Sequence, residues 1–234
     1  MNRIMADEPL AFSSDQFSGL ARVFPLPNLV MFPHVMQALH IFEPRYLAMF
    51  EEAIEDDRLI ALGLLAPGWE QHDEDRPRLQ PTACLCRIAT HQRTPQGTYN
   101  VLLLGVRRLQ LGRELPPTKP FREVEAEILE DHEPDDATGE AAAGLQQQLL
   151  SAFKRAMPKI PQAYEQLDQL LGSQITLGML SDIVSYTIEF DLELKLRLLA
   201  ESDVFRRVRL LMDAIEARGM AGIGRTFPPD FSLN

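Results

Sequence analysis

The apolar residues of this chain change their period near residue 131, and this change limits the fold more than any other feature. From residue 21 to 131, short apolar runs are separated by Pro, Gly, Asn and Asp, which is typical of strands joined by turns. Near the end of this part, Val124, Ala126 and Ile128 alternate with acidic residues, as on a strand with one exposed face. The predicted strands lie in RVFPL, MQALHI, RLIALGLLA, TACLCRIATHQ, TYNVLLLGVRRLQLGREL and REVEAEILED.

After residue 140 the apolar residues recur at helical spacing instead. Polar residues suited to N-caps precede three of the predicted helices, namely Thr176, Asp191 and either Ser202 or Asp203. The chain is therefore predicted to be an α+β protein whose second half is a helical bundle. The predicted helices lie in GEAAAGLQQQLLSAFKRAMP, PQAYEQLDQLLGS, TLGMLSDIVSYTIEF, DLELKLRLLAES and SDVFRRVRLLMDAIEARG.

A run of acidic residues separates the two halves. Residues 127–140 carry seven carboxylates and no Lys or Arg. Like charges at that density repel and stay solvated, which indicates a linker or an exposed loop. The predicted parts are an N-terminal extension (1–20), a β-rich subdomain (21–131), an acidic linker (132–140), a helical bundle (141–219) and a tail (220–234).

The charge and the absence of long apolar runs narrow the class of protein. The chain has 234 residues and a net charge of −11, and a field of that sign repels phosphate backbones, which disfavours generic nucleic-acid binding. The N-terminal region has no apolar run of signal-peptide length, and no window approaches the roughly 20 apolar residues of a membrane span. We expect a soluble cytoplasmic protein with no membrane partner.

Cys84 and Cys86 are the only cysteines, and both fall in one predicted strand. We expect their side chains to point to opposite faces of that strand and to pack as small apolar groups. On this interpretation they form no disulfide with each other. No other residues suggest a metal site, and no cofactor is predicted.

Residues 38–57, ALHIFEPRYLAMFEEAIEDD, crowd several polar side chains around one proline. Pro44 suits the first position of a helix, because its missing N–H would have no intrahelical partner there. Glu43 lies at the positive end of the helix dipole, and Arg45 could pair with it or with another acid. Acid–base catalysis by His40 and Glu43 would also need a nucleophile and an oxyanion donor, and the sequence suggests neither. We interpret the stretch as a junction from strand to helix.

The same stretch belongs to a longer pattern. VFPLPNLVMFPHVMQALHIFEPRYLAMFEEAIEDD contains a strand ending in Pro-Leu, a Phe-Pro step and a Leu-x-Ile-Phe-Glu-x-Arg-Tyr segment. It resembles the opening of the Lon protease N-terminal (substrate-binding) domain family. A later Gly-x-x-Arg strand and the C-terminal helices are also similar to that family, so the resemblance covers roughly residues 21–217. The matching residues are Pro25, Leu26, His40, Phe42, Glu43, Arg45, Tyr46, Gly105 and Arg108.

The resemblance implies a PUA-like β-rich subdomain, a pseudo-barrel with one or two short helices, followed by the helical bundle. It also implies a non-enzymatic role in recognising unfolded or tagged polypeptide for a protease. Full Lon proteases continue into an ATPase and a Ser-Lys peptidase, whereas this chain contains no G-x-x-x-x-G-K-[ST] phosphate loop. We therefore expect a stand-alone member with neither activity. At one turn where the family often has glycine, this chain has His34.

The loop NLVMFPHVM is the first candidate for contact with a polypeptide. Exposed Met and Phe side chains in a turn would form the flexible apolar patch that adaptable binders use. The alternative is that Leu29, Val30 and Phe32 pack under the barrel. The candidate contact residues of this loop are Met31, Phe32, Pro33, His34 and Met36.

The second candidate is Trp69, the only tryptophan, which follows a Pro-Gly turn. Tryptophan is enriched at interface hot spots, although it also commonly covers the end of a sheet. In the tail, Phe227 and Phe231 could anchor on the same domain or on a second subunit, as in a homodimer. The expected partners are polypeptide substrates, or a protease or chaperone that works with this protein.

Two other functions stay open at this point. PUA-like sheets elsewhere contact RNA, which requires clustered cations beside stacking aromatic residues. A small-ligand pocket between the two halves could use His40, His91 and His132. The cations that come nearest to an RNA-binding cluster are Arg107, Arg108, Arg113, Lys119 and Arg122.

Overall fold

The computed structural model describes residues 12–71, 76–134, 139–156, 175–218 and 232–233. Its strands are β1 (Leu20–Leu26), β2 (Met36–Ile41), β3 (Leu59–Leu65), β4 (Leu79–Arg93), β5 (Tyr99–Glu114), β6 (Arg122–Leu129) and β7 (Ser232–Leu233). Its helices are α1 (Pro44–Glu55), α2 (Gly139–Ala156), α3 (Leu177–Thr187), α4 (Leu192–Ala200) and α5 (Val204–Arg218).

The strands form a sheet that closes on itself. Its order is β4-β3-β1-β6-β5-β2-β7, and β4 also pairs with β5, so five strands complete a barrel. The β1–β3 and β2–β7 pairs are parallel, and the other pairs are antiparallel. Strand β5 is long enough to pair with β2 through residues 99–104 and with β6 through residues 108–114. The predicted α+β architecture, a pseudo-barrel with helices after it, is confirmed.

Local sequence signals placed most of these elements correctly. Strand β2 has the bounds of the predicted run MQALHI. The hairpin between β4 and β5 turns at Gly97, whose φ of 85° lies in the left-handed region that glycine tolerates. Helix α1 begins at Pro44, as the junction interpretation requires.

The helices that follow begin at the predicted caps. The side chain of Thr176 accepts a hydrogen bond from the Met179 N–H (3.2 Å), and that of Asp191 accepts one from the Leu194 N–H (2.7 Å). Asp203, rather than Ser202, caps α5. The predicted helix PQAYEQLDQLLGS and the predicted stop at Gly219 lie outside the described residues. In the described ranges, no helix is both long and apolar enough to cross a membrane.

The barrel strands bury side chains on both of their faces. A smaller apolar cluster includes Ala83 and Leu85, and a larger one includes Cys84 and Cys86 and continues into the helices. The cysteines are unpaired and buried, as expected of apolar packing. The prediction that they point to opposite faces was wrong, because residues two apart in a strand lie on the same face.

A buried ion cluster ties α3 to the barrel. Arg108 of β5 donates from Nη1 to Asp182 Oδ2 (3.2 Å), from Nη2 to Asp182 Oδ1, and from Nε to the Leu199 carbonyl oxygen (3.0 Å). Burial acts to lower the pKa of Arg108, but the charges of Asp182 and Asp131 more than offset it, so the pKa is raised. The guanidinium therefore remains charged inside the protein.

Arg207 of α5 completes this cluster from the other side. Its Nε donates to Ser181 Oγ (2.9 Å), and its Nη1 donates to Asp131 Oδ1 (2.9 Å) and to the Glu201 carbonyl oxygen (2.7 Å). Asp131 also lies 3.1 Å from Nη1 of Arg108. The sequence placed Asp131 in a solvated acidic run, whereas its side chain is only 29% exposed and joins two buried arginines. The division into a β-rich subdomain (21–131) and a helical bundle (141–219) is not tested by these contacts and stays a prediction.

Candidate functional site

The loop between β1 and β2 does not form the exposed apolar patch that was predicted. Met31, Phe32 and Pro33 are buried. The Met31 and Phe32 side chains belong to the larger apolar cluster. The backbone of the loop also lies close to Gly105, where a Cβ atom would be 2.1 Å from the Phe32 carbonyl oxygen. The expectation that these three residues offer a binding surface was therefore wrong. The alternative was that Leu29, Val30 and Phe32 pack under the barrel, and the structure agrees with it: Val30 and Phe32 are buried, and Leu29 is partly buried against the same cluster.

Two residues of this loop reach solvent: Met36 is exposed, and about a third of the His34 side chain is exposed. The His34 N–H donates to the Gly105 carbonyl oxygen (2.8 Å), and the Gly105 N–H donates to the Val35 carbonyl oxygen (2.9 Å). His34 has a φ of 64°, which explains a preference for glycine at this turn. Its Nε2 lies 3.9 Å from Asp182 Oδ2, and burial lowers the pKa of His34.

The motif residues of the junction meet Trp69 in one cleft of about 420 Å³. The end of β1, the start of α1 and the segment before β6 all contribute to its lining. The lining from the motif is Phe24, Pro25, Leu26, Glu43, Arg45 and Tyr46. The rest of the lining is Pro27, Leu65, Trp69, Arg76, Pro77, Pro120, Phe121 and Arg122.

The floor of the cleft is apolar. The rings of Phe24 and Tyr46 lie 4.3 Å apart between centroids, and both side chains are buried, as are Leu26 and Phe121. Burial raises the pKa of Tyr46, so its hydroxyl stays protonated. Trp69 is half-buried and also lines the cleft. Such a concave apolar surface can bury a bulky side chain of a ligand.

The rim of the cleft carries guanidinium groups held by carboxylates. Arg45 donates to Glu43 Oε2 from Nε (3.0 Å) and lies 2.8 Å from it through Nη2. The Arg45 guanidinium also lies 4.6 Å from the Tyr46 ring centroid, a cation–π arrangement, and half of its side chain is exposed. On this side of the cleft a positive group is therefore fixed in place but still reaches solvent.

A second set of ion pairs holds the opposite wall. Arg122 donates to Glu114 through Nε (2.9 Å) and Nη2, and to the Pro77 carbonyl oxygen through Nη1 (2.7 Å). Arg76 donates to the same Glu114 (3.1 Å). Three arginines and one glutamate thus line the cleft of a chain whose net charge is −11. Glu43 and Glu114 offset two of these three positive charges, so the rim keeps a small positive excess.

The described lining contains no Ser, Thr, Cys, His, Asp or Lys side chain. Glu43 is paired with Arg45, and Tyr46 is the remaining hydroxyl. The polar chemistry of the described lining thus comprises guanidinium groups, one paired carboxylate and one phenol.

The histidines considered for a ligand pocket do not come together at one site. His40 contacts Asn100 (Nδ1 to Oδ1, 2.8 Å), and His91 packs edge-on against Phe50. His132 lies beside Asp203 through backbone pairing. Among the described residues, no group of three or more His, Cys, Asp or Glu could hold a metal ion.

Sequence reasoning singled out Trp69 and the junction motif separately and missed that they share a cleft. It also missed Arg76 and Phe121. Asp131 and Asp182 were likewise not identified as the partners of Arg108 and Arg207. For Asp182 a signal was present, because an aspartate within a mostly apolar helix indicates a buried charge that needs a partner.

Comparisons with known proteins agree with this architecture. A family model described as the ATP-dependent protease La (LON) substrate-binding domain matches residues 21–217. The Lon protease of Anaeromyxobacter dehalogenans is 21% identical over 90% of this chain, and that of Xanthomonas oryzae pv. oryzae is 25% identical over 91%. In both cases the match covers 24% of the relative, so this chain spans about a quarter of the length of these curated relatives.

Solved structures show the same fold. The Lon N-terminal domain protein from Xanthomonas campestris has a TM-score of 0.60 at 19% identity, covering 83% of this chain and 97% of that one. The N-terminal domain of the Mycobacterium avium complex Lon protease has a TM-score of 0.63 at 20% identity, covering 84% and 98%. From the matched span and this fold, the chain belongs to the LON substrate-binding domain family.

Proposed function

We propose that this chain is a non-enzymatic recognition module that binds unfolded or tagged polypeptide in the cleft beside Trp69. One observation carries the proposal: the motif residues of a substrate-binding family line an apolar cleft with an arginine rim. A bulky side chain of the polypeptide occupies the floor formed by Phe24, Tyr46 and Phe121. A neighbouring carboxylate of the polypeptide pairs with Arg45.

The sole tryptophan gives a direct test of this proposal. Because Trp69 lines the cleft, its fluorescence should shift when a peptide with an aromatic residue beside an aspartate is added. Truncation of a hot-spot tryptophan costs about 2 kcal/mol or more, so Trp69→Ala should weaken binding of a fluorescein-labelled copy of this peptide by roughly 30-fold. Arg45→Ala should weaken peptide binding less than Trp69→Ala does. The effect of Arg45→Ala should be larger at low salt than at high salt, because salt screens the charge pair.

Arg113→Ala provides the matched control, because Arg113 is 73% exposed, pairs with Glu125 and does not line the cleft. It should leave peptide affinity unchanged. If the peptide binds while the tryptophan emission and the affinity of Trp69→Ala both stay as in the wild type, the cleft is not the binding site.

In this structure, the five cations considered for RNA binding are buried or lie in ion pairs. Arg108 and Arg122 are buried in ion pairs, and Lys119 contacts Glu52 and Glu123 (2.9 Å each). Arg107 lies 3.5 Å from Glu130, and Arg113 pairs with Glu125. Because Arg108 and Arg122 are buried and the net charge of −11 repels phosphate backbones, we propose no nucleic-acid function. Cooperation with a protease or chaperone, and a homodimer, remain predictions.

A further inference from the structure

We propose that strand β2 is a second binding site, which takes up extended polypeptide by strand addition, and that Ser232 and Leu233 of this chain are its intramolecular competitor. The proposal concerns the barrel edge rather than the cleft and does not depend on the function of the cleft. Its partner is an uncharged, extended segment with bulky apolar side chains at alternate positions.

The first observation is the pairing of β2. One edge of this strand pairs with β5 along its whole length, from Met36 to Ile41. In the described part of the chain, the other edge pairs only with β7, in a parallel register of Leu39 with Ser232 and His40 with Leu233. An edge strand presents unpaired N–H and C=O groups and acts as a template for another strand. The seated β7 indicates that this edge accepts extended backbone.

The second observation is the apolar surface beside that edge. Met36 and Phe42 are 36% and 43% exposed, and among the described residues they are the exposed large hydrophobic side chains. Both lie on the outer side of β2 and its end, where His40 stacks on Phe42 with 5.9 Å between ring centroids. Asn100 fixes the His40 ring. Strand-addition sites combine such backbone pairing with contacts for alternate side chains.

The third observation is the absence of the usual protection in this strand. Natural edge strands avoid unwanted pairing with charges, prolines or bulges. The sequence of β2, MQALHI, contains no Asp, Glu, Lys, Arg or Pro, and its register with β5 is regular. In the sequence of the tail, Phe231 and Leu233 flank Ser232, so the resident segment itself has the alternating pattern expected of a partner.

Ser232 and Leu233 belong to the same chain as β2, so they compete with an added peptide at an effective concentration that does not depend on the protein concentration. An added peptide must displace Ser232 and Leu233 from β2. Its apparent Kd is therefore larger than its intrinsic Kd for a β2 edge that β7 does not occupy. Weakening the contact of Ser232 and Leu233 should therefore lower the apparent Kd for a peptide. We expect the change to be about tenfold, since the lost pairing involves two residues only.

Backbone pairing can be tested directly with a fluorescein-labelled peptide in which Phe or Leu alternates with Ser. Two further versions of this peptide carry backbone N-methyl groups, one version on every odd-numbered residue and the other on every even-numbered residue. A strand added to one edge uses the N–H groups of every second residue, so one phase should lose affinity at least tenfold while the other binds like the parent. Equal loss or equal retention in both phases would overturn strand addition.

Full-length variants test the competitor and the surface. Ser232→Pro with Leu233→Pro should tighten peptide binding about tenfold, whereas Ser232→Ala, which keeps the N–H, should not. Phe42→Ser should weaken binding about tenfold, and Arg113→Ala, a change outside both sites, should leave it unchanged. Circular dichroism verifies folding of each variant. Unchanged affinity in the proline variant, or a dimer by light scattering that excludes the peptide, would overturn the proposal.

Discussion

Replacement of Gly105 by alanine should destabilise the fold strongly, because the residue lies where two backbone segments touch. The added Cβ would stand 2.1 Å from the Phe32 carbonyl oxygen, 2.9 Å from its carbon and 3.1 Å from Cys84 Sγ. The first two atoms belong to the backbone and cannot rotate away. The loop would have to retreat by about 1 Å or more to restore van der Waals contact.

That retreat breaks two hydrogen bonds, from the His34 N–H to the Gly105 oxygen and from the Gly105 N–H to the Val35 oxygen. Each contributes about 0.5–1.5 kcal/mol, and overpacking of a core costs about 1–3 kcal/mol. We therefore expect the free energy of unfolding to fall by about 3–5 kcal/mol, a large share of the roughly 5–15 kcal/mol typical of a native domain.

Urea denaturation followed by circular dichroism measures this change. Gly144→Ala is the matched control, because a Cβ at Gly144 in α2 meets no atom within 4 Å. The same substitution should there stabilise the helix by about 0.5–1 kcal/mol. A Gly105→Ala protein as stable as the wild type would show that the loop does not rest on β5 as described.

Three further predictions concern the ion cluster, acid stability and the turn at residue 34. Asp182→Asn should lower the free energy of unfolding by about 3 kcal/mol, because Arg108 and Arg207 then keep only the partly exposed Asp131 as a counter-charge; a loss below about 1 kcal/mol in urea denaturation would contradict this. Burial acts to raise the pKa of Asp131 and of Glu52, but hydrogen bonds from Arg207 to the first and from Lys119 and Arg22 to the second lower both overall. A carboxylate whose pKa is lower in the folded state than in the unfolded state stabilises the fold fully above its unfolded pKa, about 4, and loses this contribution as the pH falls through its folded pKa. The free energy of unfolding should therefore decrease between roughly pH 5 and pH 3, and it should decrease less steeply in Asp131→Asn. His34→Gly should raise the melting temperature by a few degrees, because the left-handed φ of 64° costs a histidine about 1–2 kcal/mol; an unchanged or lower melting temperature would show that contacts of the His34 ring outweigh the strain.

Elements that depend on near neighbours in the chain could be predicted from the sequence. The caps at Thr176 and Asp191 need only an oxygen and an N–H three residues on, and the Gly97 turn needs only a local positive φ. The strand–helix junction at Pro44 is of the same kind. Each signal is contained in a few consecutive residues, so no knowledge of the rest of the fold was required.

The candidate site could be predicted only in part. Trp69 and the junction residues Glu43, Arg45 and Tyr46 were recognised individually, but their meeting in one cleft depends on which strands pair. The β1–β3 and β1–β6 pairings bring together segments far apart in the chain, and alternation of apolar residues does not specify a partner strand.

The sequence by itself determined the strand and helix periods, the caps, the acidic character and the family resemblance of this protein. Only the tertiary structure decided that Met31 and Phe32 are buried, because their exposure depends on a loop resting against Gly105, over seventy residues away. It also decided that Arg108 is neutralised by Asp182, 74 positions along the chain. Burial and charge pairing are properties of the closed barrel and its packed helices, and no local pattern of residues encodes them.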